Sequence, residues 1–499
     1  MDITSQQLCQ RGLELLRAGN AEEADKLFHE AYQLDPNNID ALNLLGIRFY
    51  QKGDYITAIN FLNSANTLSP NSTNTLNNLG LAHNAILQFQ EGLRFCNQAI
   101  AISPNIAQAH NNRGNALKGM GKSEEAIKAY QNAIALEPNY AEALNNYGII
   151  ALEKRMPEKA IDLFQQAIIC SPNLASAFNG LGNAFTLLED AEQAFKNYER
   201  ALEINPNYLD AALNFGISLK KFKQYQASIK CYEYALKINP KHPRAHFLLG
   251  ELCYDMADCD GAKLQYQKAL FLDETNLETQ FAFAISQIPK VLRDKEECVQ
   301  SRNLFANQLN ALQTYNSLTS SIEVCSKIIG RHPFYLAYQT ENNRSLISQF
   351  GNICIQQAKV LQNNLTPQMA QKTLRGKIRI GIVSHYFNDH PVWHAITKGW
   401  ISQLNRDIFD VFLFNTSGNE DAETELAKSY ALNYLDCGVS IVEAGQTILN
   451  KSLDALLYPE VGMDMTTKGL ACLRLAPLQV ASWGHPETTG LSTIDIYLS

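Results

Sequence analysis

Histidine, asparagine and aspartate side chains gather in one short segment, HYFNDHPVWH at residues 385–394. It contains His385, Asn388, His390 and His394, with Pro391 directly after the second histidine. Imidazole titrates near neutral pH, so a histidine can serve as a proton acceptor or relay. These residue types make the segment a candidate site for acid–base chemistry.

Two further polar clusters follow later in the chain. One ends at Lys468 and the other begins at His485. Their members are Glu460, Gly462, Asp464, Thr466, Thr467 and Lys468 in the first, and His485, Pro486, Glu487, Thr488, Thr489 and Gly490 in the second. A lysine or a helix start supplies hydrogen-bond donors and positive charge.

Zinc binding is an alternative use of His385, His390 and His394. The last two are four residues apart, which places two imidazoles on one helix face. Pro391 favours a helix start, however, and this would leave His390 at the cap. No third ligand has motif spacing, and each histidine also has a plain capping or packing interpretation.

Apolar runs alternate with helical stretches from Lys377 onward. The runs are 377–384, 409–415, 431–436, 453–459, 478–484 and 494–499. This alternation predicts a parallel, doubly wound sheet, in which ligands bind beyond the carboxyl ends of the strands. The three polar clusters follow the first, fourth and fifth runs, so we expect them at that edge.

The first half of the chain repeats with a period of 34 residues. Prolines recur at Pro36, Pro70, Pro104, Pro138, Pro172, Pro206 and Pro240, and glycines at Gly12, Gly46, Gly80, Gly114, Gly148, Gly182, Gly216 and Gly250. Alanines form a third column from Ala31 to Ala269. In most repeats a large apolar or aromatic residue lies three positions before the column alanine. Two antiparallel helices per unit explain the columns, because small residues permit close contact and proline stops a helix.

This pattern is similar to the tetratricopeptide repeat, and eight units fit residues 5–276. Stacked helix pairs form an α-solenoid, a superhelix whose concave face binds extended peptides or partner helices. Asn78, Asn112, Asn146 and Asn214 lie two residues before the column glycine and form a ladder. Their amides could hydrogen-bond to the backbone of an extended peptide, because each offers a donor and an acceptor. The alternative is that asparagine is simply common at this solvent-exposed helix position. Leu44, Gly180 and Leu248 interrupt the ladder.

Residues 277–372 lose the period but keep helical spacing, which predicts a helical connecting region of four or five helices. The aromatic segment 332–344 favours packing against the next domain. Residues 373–499 then form the α/β domain.

Composition limits the remaining function classes. The net charge is −8, and no Lys/Arg block indicates nucleic-acid binding. The N-terminus does not resemble a signal peptide, and no run of about 18 apolar residues predicts a membrane span. The cysteines are scattered singly, as expected where thiols stay reduced. A cytoplasmic location is the expectation.

KIRIGIVSHYFNDHPVWH and RLAPLQVASWGHPETTG resemble the amino-terminal lobe of the O-linked N-acetylglucosamine transferases, including Spindly-type and bacterial relatives. The order of repeats and lobe also resembles that family along the whole chain. The resemblance implies a Rossmann-like lobe of a two-lobed, GT-B type glycosyltransferase. Such an enzyme moves a sugar from a nucleotide donor, here expected to be UDP-N-acetylglucosamine, to Ser or Thr of a protein held by the superhelix, without a cofactor or metal.

The resemblance also implies site residues. His390 and His485 correspond to catalytic positions. Positions that contact substrate are Asn388, Pro391, Lys468, Gly484, Pro486, Thr488 and Thr489, with the ladder asparagines on the acceptor.

The family's second lobe, which holds the uridine diphosphate, has no counterpart in these 499 residues. We therefore expect a fragment with little activity alone, and a non-catalytic protein-binding scaffold is the alternative function. Fucose is an alternative donor sugar. A bare apolar strand at 494–499 predicts some self-association.

Overall fold

A computed structural model describes residues 4–314, 321–366, 376–418, 420–482 and 488–498. The chain divides into two compact units, Met1–Ile238 and Asn239–Ser499. No helix within these described ranges is long and apolar enough to cross a membrane.

The first unit is a solenoid of helix pairs, as the 34-residue period predicts. The helices are α1 Ser5–Arg17, α2 Ala21–Leu34, α3 Ile39–Gln51, α4 Tyr55–Leu68, α5 Thr73–Ala85, α6 Phe89–Ile102, α7 Ala107–Gly119, α8 Ser123–Leu136, α9 Ala141–Glu153, α10 Pro157–Cys170, α11 Ala175–Leu187, α12 Ala191–Ile204, α13 Leu209–Lys221 and α14 Tyr225–Ile238. Side-chain caps begin several of them: Asn38, Asp54 and Ser72 each accept a hydrogen bond from a first-turn backbone N–H. Each column proline follows the second helix of its pair and blocks its continuation.

The column glycines lie where the two helices of a pair touch. A Cβ atom on Gly114 would come within 2.4 Å of the Tyr130 ring, and one on Gly148 within 2.7 Å of the Phe164 ring. Phe164 also lies against Gly180 of the next pair, where a Cβ would come within 2.4 Å. The aromatic side chain three positions before the column alanine therefore packs against the column glycine of its own pair. Phe164 also packs against the next pair.

The turn between the two helices of each pair needs a left-handed backbone. Gly19, Gly53 and Gly121 adopt φ of 85°, 82° and 75° there. The equivalent position is not glycine in other pairs, and Leu87 and Glu189 hold φ of 61° and 62°. The left-handed conformation is unfavourable in free energy for residues with a Cβ atom, whereas glycine adopts it readily.

The second unit begins with helices and ends with a sheet. Its helices are α15 Pro243–Asp255, α16 Cys259–Leu272, α17 Leu277–Ser286, α18 Lys295–Gln313, α19 Ile322–Ile329, α20 Arg344–Gln362, α21 Lys398–Gln403, α22 Ala422–Tyr430, α23 Ile441–Leu449 and α24 Met465–Ala471. A 3₁₀ segment spans Phe334–Tyr338, and a π-helical turn at Trp393–Thr397 leads into α21.

Six parallel strands form the sheet, in the order β3-β2-β1-β4-β5-β6. The strands are β1 Ile378–Ser384, β2 Phe409–Asn415, β3 Asn433–Asp436, β4 Ala455–Tyr458, β5 Leu478–Ser482 and β6 Ile496–Leu498. Every predicted run contains one of them, and the doubly wound, Rossmann-like arrangement is confirmed. The order reverses between β1 and β4, which is the position where sheets of this kind form a ligand-binding crevice beyond the carboxyl ends of the strands.

The aromatic segment 332–344 packs inside this unit. Leu336 is fully buried, and a Cβ atom on Gly462, in the loop after β4, would come within 2.9 Å of the His332 ring. Gly462 also has φ of 99°, so both the close approach and the backbone require glycine. The predicted packing role fits these contacts.

Candidate functional site

A groove of about 1050 Å³ runs along the first helices of successive pairs, from α1 to the start of α11. Amides dominate its lining, with Asp40 and Glu142 as its only charged side chains among the described residues that line it. Three of the predicted ladder residues, Asn78, Asn112 and Asn146, lie in it. The amides of this surface offer both donors and acceptors without carrying charge themselves.

The ladder asparagines hydrogen-bond to a second asparagine column. Asn112 Nδ2 donates to Asn77 Oδ1 at 2.9 Å, and Asn214 Nδ2 donates to Asn179 Oδ1 at 3.1 Å. The second column lies one position earlier in each helix and comprises Asn43, Asn77, Asn111, Asn145 and Asn179. Sequence reasoning missed it, although its own 34-residue step was a sufficient signal.

Asn146, in the middle of the ladder, donates two hydrogen bonds. Asn146 Nδ2 donates to Asn111 Oδ1 and to Asn115 Oδ1, each at 3.1 Å. At the N-terminal end of the ladder, Asn43 Nδ2 donates to the Ile39 carbonyl of its own helix at 2.9 Å, and the buried Asn43 Oδ1 has no hydrogen-bond partner. Asn78, the next ladder residue, lines the groove.

A buried carboxyl group joins the loops after β1 and β4. Glu460 is fully buried, and its carboxyl accepts from Ser384 Oγ at 2.9 and 3.1 Å and from the His385 N–H at 2.8 Å. Burial raises the pKa of Glu460 to about 8. Glu460 was visible in the sequence as a polar residue after a strand, but its role in holding the β1 loop was not.

The His390 ring stacks on Tyr386, with ring centroids 3.8 Å apart and an interplanar angle of 12°. His390 Nδ1 accepts from the Val392 N–H at 3.2 Å, so the neutral ring carries its proton on Nε2. Burial, together with nearby His385, lowers the pKa of His390 below its ordinary value of 6.5. The ring is therefore a neutral hydrogen-bond donor at pH 7.

The other two histidines of the segment are engaged with carboxylates. His385 Nδ1 lies 3.6 Å from Asp464 Oδ1, and Asp464 caps α24 by accepting from two backbone N–H groups. His394 Nε2 lies 2.8 Å from Asp389 Oδ1. Within the described ranges no group of three His, Cys, Asp or Glu side chains could hold a metal ion, so the zinc alternative has no support here.

The remaining predicted site residues separate into three sets. Asn388 keeps a buried Oδ1 without a hydrogen-bond partner beside the histidines, and Pro391 opens the helical turn as predicted. Thr488 and Thr489 accept from backbone N–H groups of their own loop, at 3.5 and 3.3 Å. Gly484, Pro486 and His485 lie outside the described residues.

Lys468 does not reach the open edge of the sheet. Its side chain is fully buried, with Nζ 3.3 Å from Cys472 Sγ and over the Phe350 ring. The family resemblance implied a substrate contact for Lys468. Its place inside α24 turns the amine into the interior instead, so this structure offers no contact between that amine and a ligand in the crevice.

Comparisons with known proteins match both parts of the chain. Residues 327–499 match the family model of glycosyl transferase family 41. Tetratricopeptide-repeat models match residues 9–73, 111–175, 175–208 and 223–257. The chain is also similar to the probable UDP-N-acetylglucosamine–peptide N-acetylglucosaminyltransferase SEC of Arabidopsis thaliana, with 31% identity over 124 residues. These residues are 24% of this chain and span 12% of that relative's length.

Solved structures align with parts of the chain at low scores. A chain of the APC/C hetero-tetramer Cut9–Hcn1 is 15% identical over 56% of this chain and 55% of its own, with a TM-score of 0.48. Pseudomonas aeruginosa pilF is 23% identical over 42% of this chain and 95% of its own, with a TM-score of 0.36. Both scores lie below 0.5, and no conclusion rests on them.

Proposed function

We propose that this chain, in which tetratricopeptide repeats precede a glycosyl transferase family 41 segment, takes part in sugar transfer from a nucleotide donor to Ser or Thr of an acceptor protein. We propose UDP-N-acetylglucosamine as the donor and no cofactor. The division into repeats at 5–276, a connecting region at 277–372 and a catalytic lobe from 373 belongs to the same proposal. The first section holds the acceptor and the last holds the reacting groups.

The observation that carries the proposal is the position of His390. It lies beyond the carboxyl end of β1, at the reversal of the strand order, inside the segment that matches family 41. A neutral ring with its proton on Nε2 can donate to an oxygen of the sugar or diphosphate without adding charge. Asn388, with an unpaired amide oxygen nearby, is proposed as a second substrate contact.

This geometry assigns His390 to hydrogen-bond donation and not to proton abstraction. Its Nδ1 lone pair is already used by the Val392 N–H, and its Nε2 bears the proton. Accepting the proton of the acceptor hydroxyl would require that capping bond to break. A donor on the departing oxygen stabilises the charge that develops there.

Donor binding by isothermal titration calorimetry tests the proposal on the 499-residue chain. We expect saturable binding of UDP-N-acetylglucosamine that His390→Ala reduces at least tenfold, since a preorganised donor in such a site is worth more than about 1.4 kcal/mol. His394→Ala is the matched control, because His394 is about half exposed and bonded to Asp389. GDP-fucose in a parallel titration tests the alternative donor.

A protein-binding scaffold is the second candidate function, supported by the amide groove. It predicts that Ser/Thr-containing peptides bind while neither sugar nucleotide does. That pair of results would contradict the transferase proposal. Equal donor affinity for the wild type and His390→Ala would contradict the role of His390 alone.

A further inference from the structure

The last of the predicted repeats lies in the same compact unit as the sheet. The chain divides between Ile238 and Asn239, so α15 and α16, which correspond to the eighth repeat, belong to the second unit. Three consecutive residues at the end of α19, Gly330, Arg331 and His332, lie between these helices and the loops of the crevice. We call them the 330–332 segment.

Arg331 is held by two carboxylates of the neighbouring helices. Its Nη1 donates to Glu251 Oε1 of α15 at 3.1 Å, and its Nη2 lies 3.8 Å from Glu278 Oε1 of α17. The hydroxyl of Tyr266 in α16 donates to the same oxygen of Glu251 at 2.7 Å. The arginine side chain is only 15% exposed, so salt and water screen these contacts weakly. The guanidinium therefore fixes the end of α19 to α15 and α17.

The residues on either side of Arg331 pack against the crevice loops. A Cβ atom on Gly330 would lie 2.5 Å from the carbonyl oxygen of Met465, the first residue of α24. A Cβ atom on Gly462, in the loop after β4, would lie 2.9 Å from the His332 ring. Because packed interiors transmit displacements, loss of the 330–332 segment from its place would free this loop and the start of α24.

The loop after β4 in turn holds the loop that carries the histidines. Glu460 accepts from the His385 N–H at 2.8 Å, and Asp464 Oδ1 lies 3.6 Å from His385 Nδ1. Asp464 also accepts from the first-turn N–H groups of α24. His390 follows His385 by five residues in the same segment. Contacts thus run without a break from Arg331 to the loop of His390.

We infer that Arg331 is a positioning residue for the crevice: its ion pairs with Glu251 and Glu278 hold the 330–332 segment against the loop after β4. This assignment rests on the proposed function, in which the crevice binds the sugar nucleotide. Arg331 acts through His332 and the loop, not on a reacting group. Arginine suits this place because its planar guanidinium reaches two carboxylates at once and stays charged.

Hydrogen–deuterium exchange of the full chain tests this assignment without any ligand. The reporters are the amides of Thr466 and Thr467, which donate to Asp464 at 2.8 Å each and lie in the peptide 460–471. We expect Arg331→Met to speed their exchange about tenfold, because two partly shielded carboxylates would lose the cation that they share. Exchange in β1, residues 378–384, should stay at the wild-type rate.

Two further variants serve as matched controls. Arg244 pairs with the same Glu278 at 3.3 Å but is 43% exposed, so Arg244→Gln should leave the exchange of the peptide 460–471 unchanged. Arg331→Lys keeps the positive charge on a side chain about as long as that of methionine. It should recover part of the protection that Arg331→Met loses. Equal exchange in the Lys and Met variants would contradict a role for the charge.

Donor binding gives the second readout. In isothermal titration calorimetry with UDP-N-acetylglucosamine, we expect Arg331→Met to bind about fivefold more weakly than the wild type, because part of the binding free energy would go to ordering the loop. Arg244→Gln should bind like the wild type.

Several results would overturn the assignment. Wild-type exchange of the Thr466 and Thr467 amides in Arg331→Met would do so whether or not the donor binds. Faster exchange throughout the second unit, including β1, would give Arg331 a role in overall stability only. Unchanged donor affinity in a variant whose loop exchanges faster would also contradict it. If the wild type binds no sugar nucleotide, the proposed function fails by itself, and exchange still decides whether Arg331 holds the loop.

Discussion

The groove of the repeats and the crevice of the sheet hold their polar groups in different ways. In the groove, the same neutral amide bond recurs from one pair of helices to the next, as at Asn77–Asn112 and Asn179–Asn214. In the crevice, a single titratable group, Glu460, holds the loop that carries the histidines. In the repeats, a missing amide bond can be recognised by comparison with the neighbouring repeats. The Glu460 contacts have no such counterpart, so their importance must be judged from the burial and charge of the carboxyl group.

The two regions therefore differ in how they respond to pH and to added bulk. Neutral amides do not titrate, so the amide hydrogen bonds of the groove should be insensitive to pH over the range in which Glu460 changes its charge. The helix contacts under the groove, by contrast, are limited by volume at every column glycine. Three measurements separate these properties, from the largest effect to the smallest.

The largest expected effect is the pH dependence of the second unit. The folded-state pKa of Glu460 is about 8, above its ordinary value of 4.5, so the folded state holds this proton more tightly than the unfolded chain. The stabilisation is complete below pH 4.5 and is lost as pH rises from there to about 8. The full loss is on the order of 5 kcal/mol.

Glu460→Gln should remove most of this dependence, because the amide stays neutral and its oxygen can still accept from Ser384 and His385. All three tryptophans, Trp393, Trp400 and Trp483, lie in the second unit, so tryptophan fluorescence during thermal unfolding follows that unit alone. Identical pH profiles for wild type and variant would contradict the raised pKa.

The next effect tests volume in the repeats. Gly114→Ala places a Cβ atom 2.4 Å from the Tyr130 ring, and such overpacking costs about 1–3 kcal/mol. Gly399→Ala is the control, since it lies in α21 with no atom within 4 Å of the added Cβ and should be neutral or slightly stabilising. Far-UV circular dichroism during heating measures both. A Gly114→Ala variant as stable as the wild type would show that the pairs can separate without cost.

The smallest effect concerns the turns. Leu87 is 74% exposed and holds φ of 61°, so Leu87→Gly should stabilise the first unit by up to about 1 kcal/mol. Gly121→Ala, at the equivalent turn with φ of 75° and open space around it, should destabilise by a similar amount. Shifts of the helical melting temperature in opposite directions are expected. Shifts in the same direction would mean that backbone strain is not the controlling term.

Much of the fold followed from the sequence, because its signals are local and repeated. The 34-residue columns located the helix pairs, and the apolar runs located all six strands to within a few residues. The predicted strand at 409–415 coincides with β2. Periodicity succeeds here because a helix or strand shows its buried face through the spacing of neighbouring residues.

The candidate site was predictable only in outline. The sequence placed polar residues after β1 and β4, since the carboxyl ends of parallel strands share an edge. It did not show that His390 stacks on Tyr386 or that Lys468 points inward. Those features depend on the orientation that a side chain adopts when its helix or loop packs against the rest of the fold.

The sequence by itself determined the repeat, the parallel sheet and the residue types available at each edge. Tertiary structure decided which of those residues are free to meet a ligand. Asparagines spaced 34 residues apart look alike in the sequence, but Asn111 Oδ1 accepts a hydrogen bond from Asn146, whereas the buried Asn145 Oδ1 has no partner. The physical reason is that hydrogen bonding and desolvation depend on distances of about 3 Å between residues from different repeats or strands, and such distances exist only after folding.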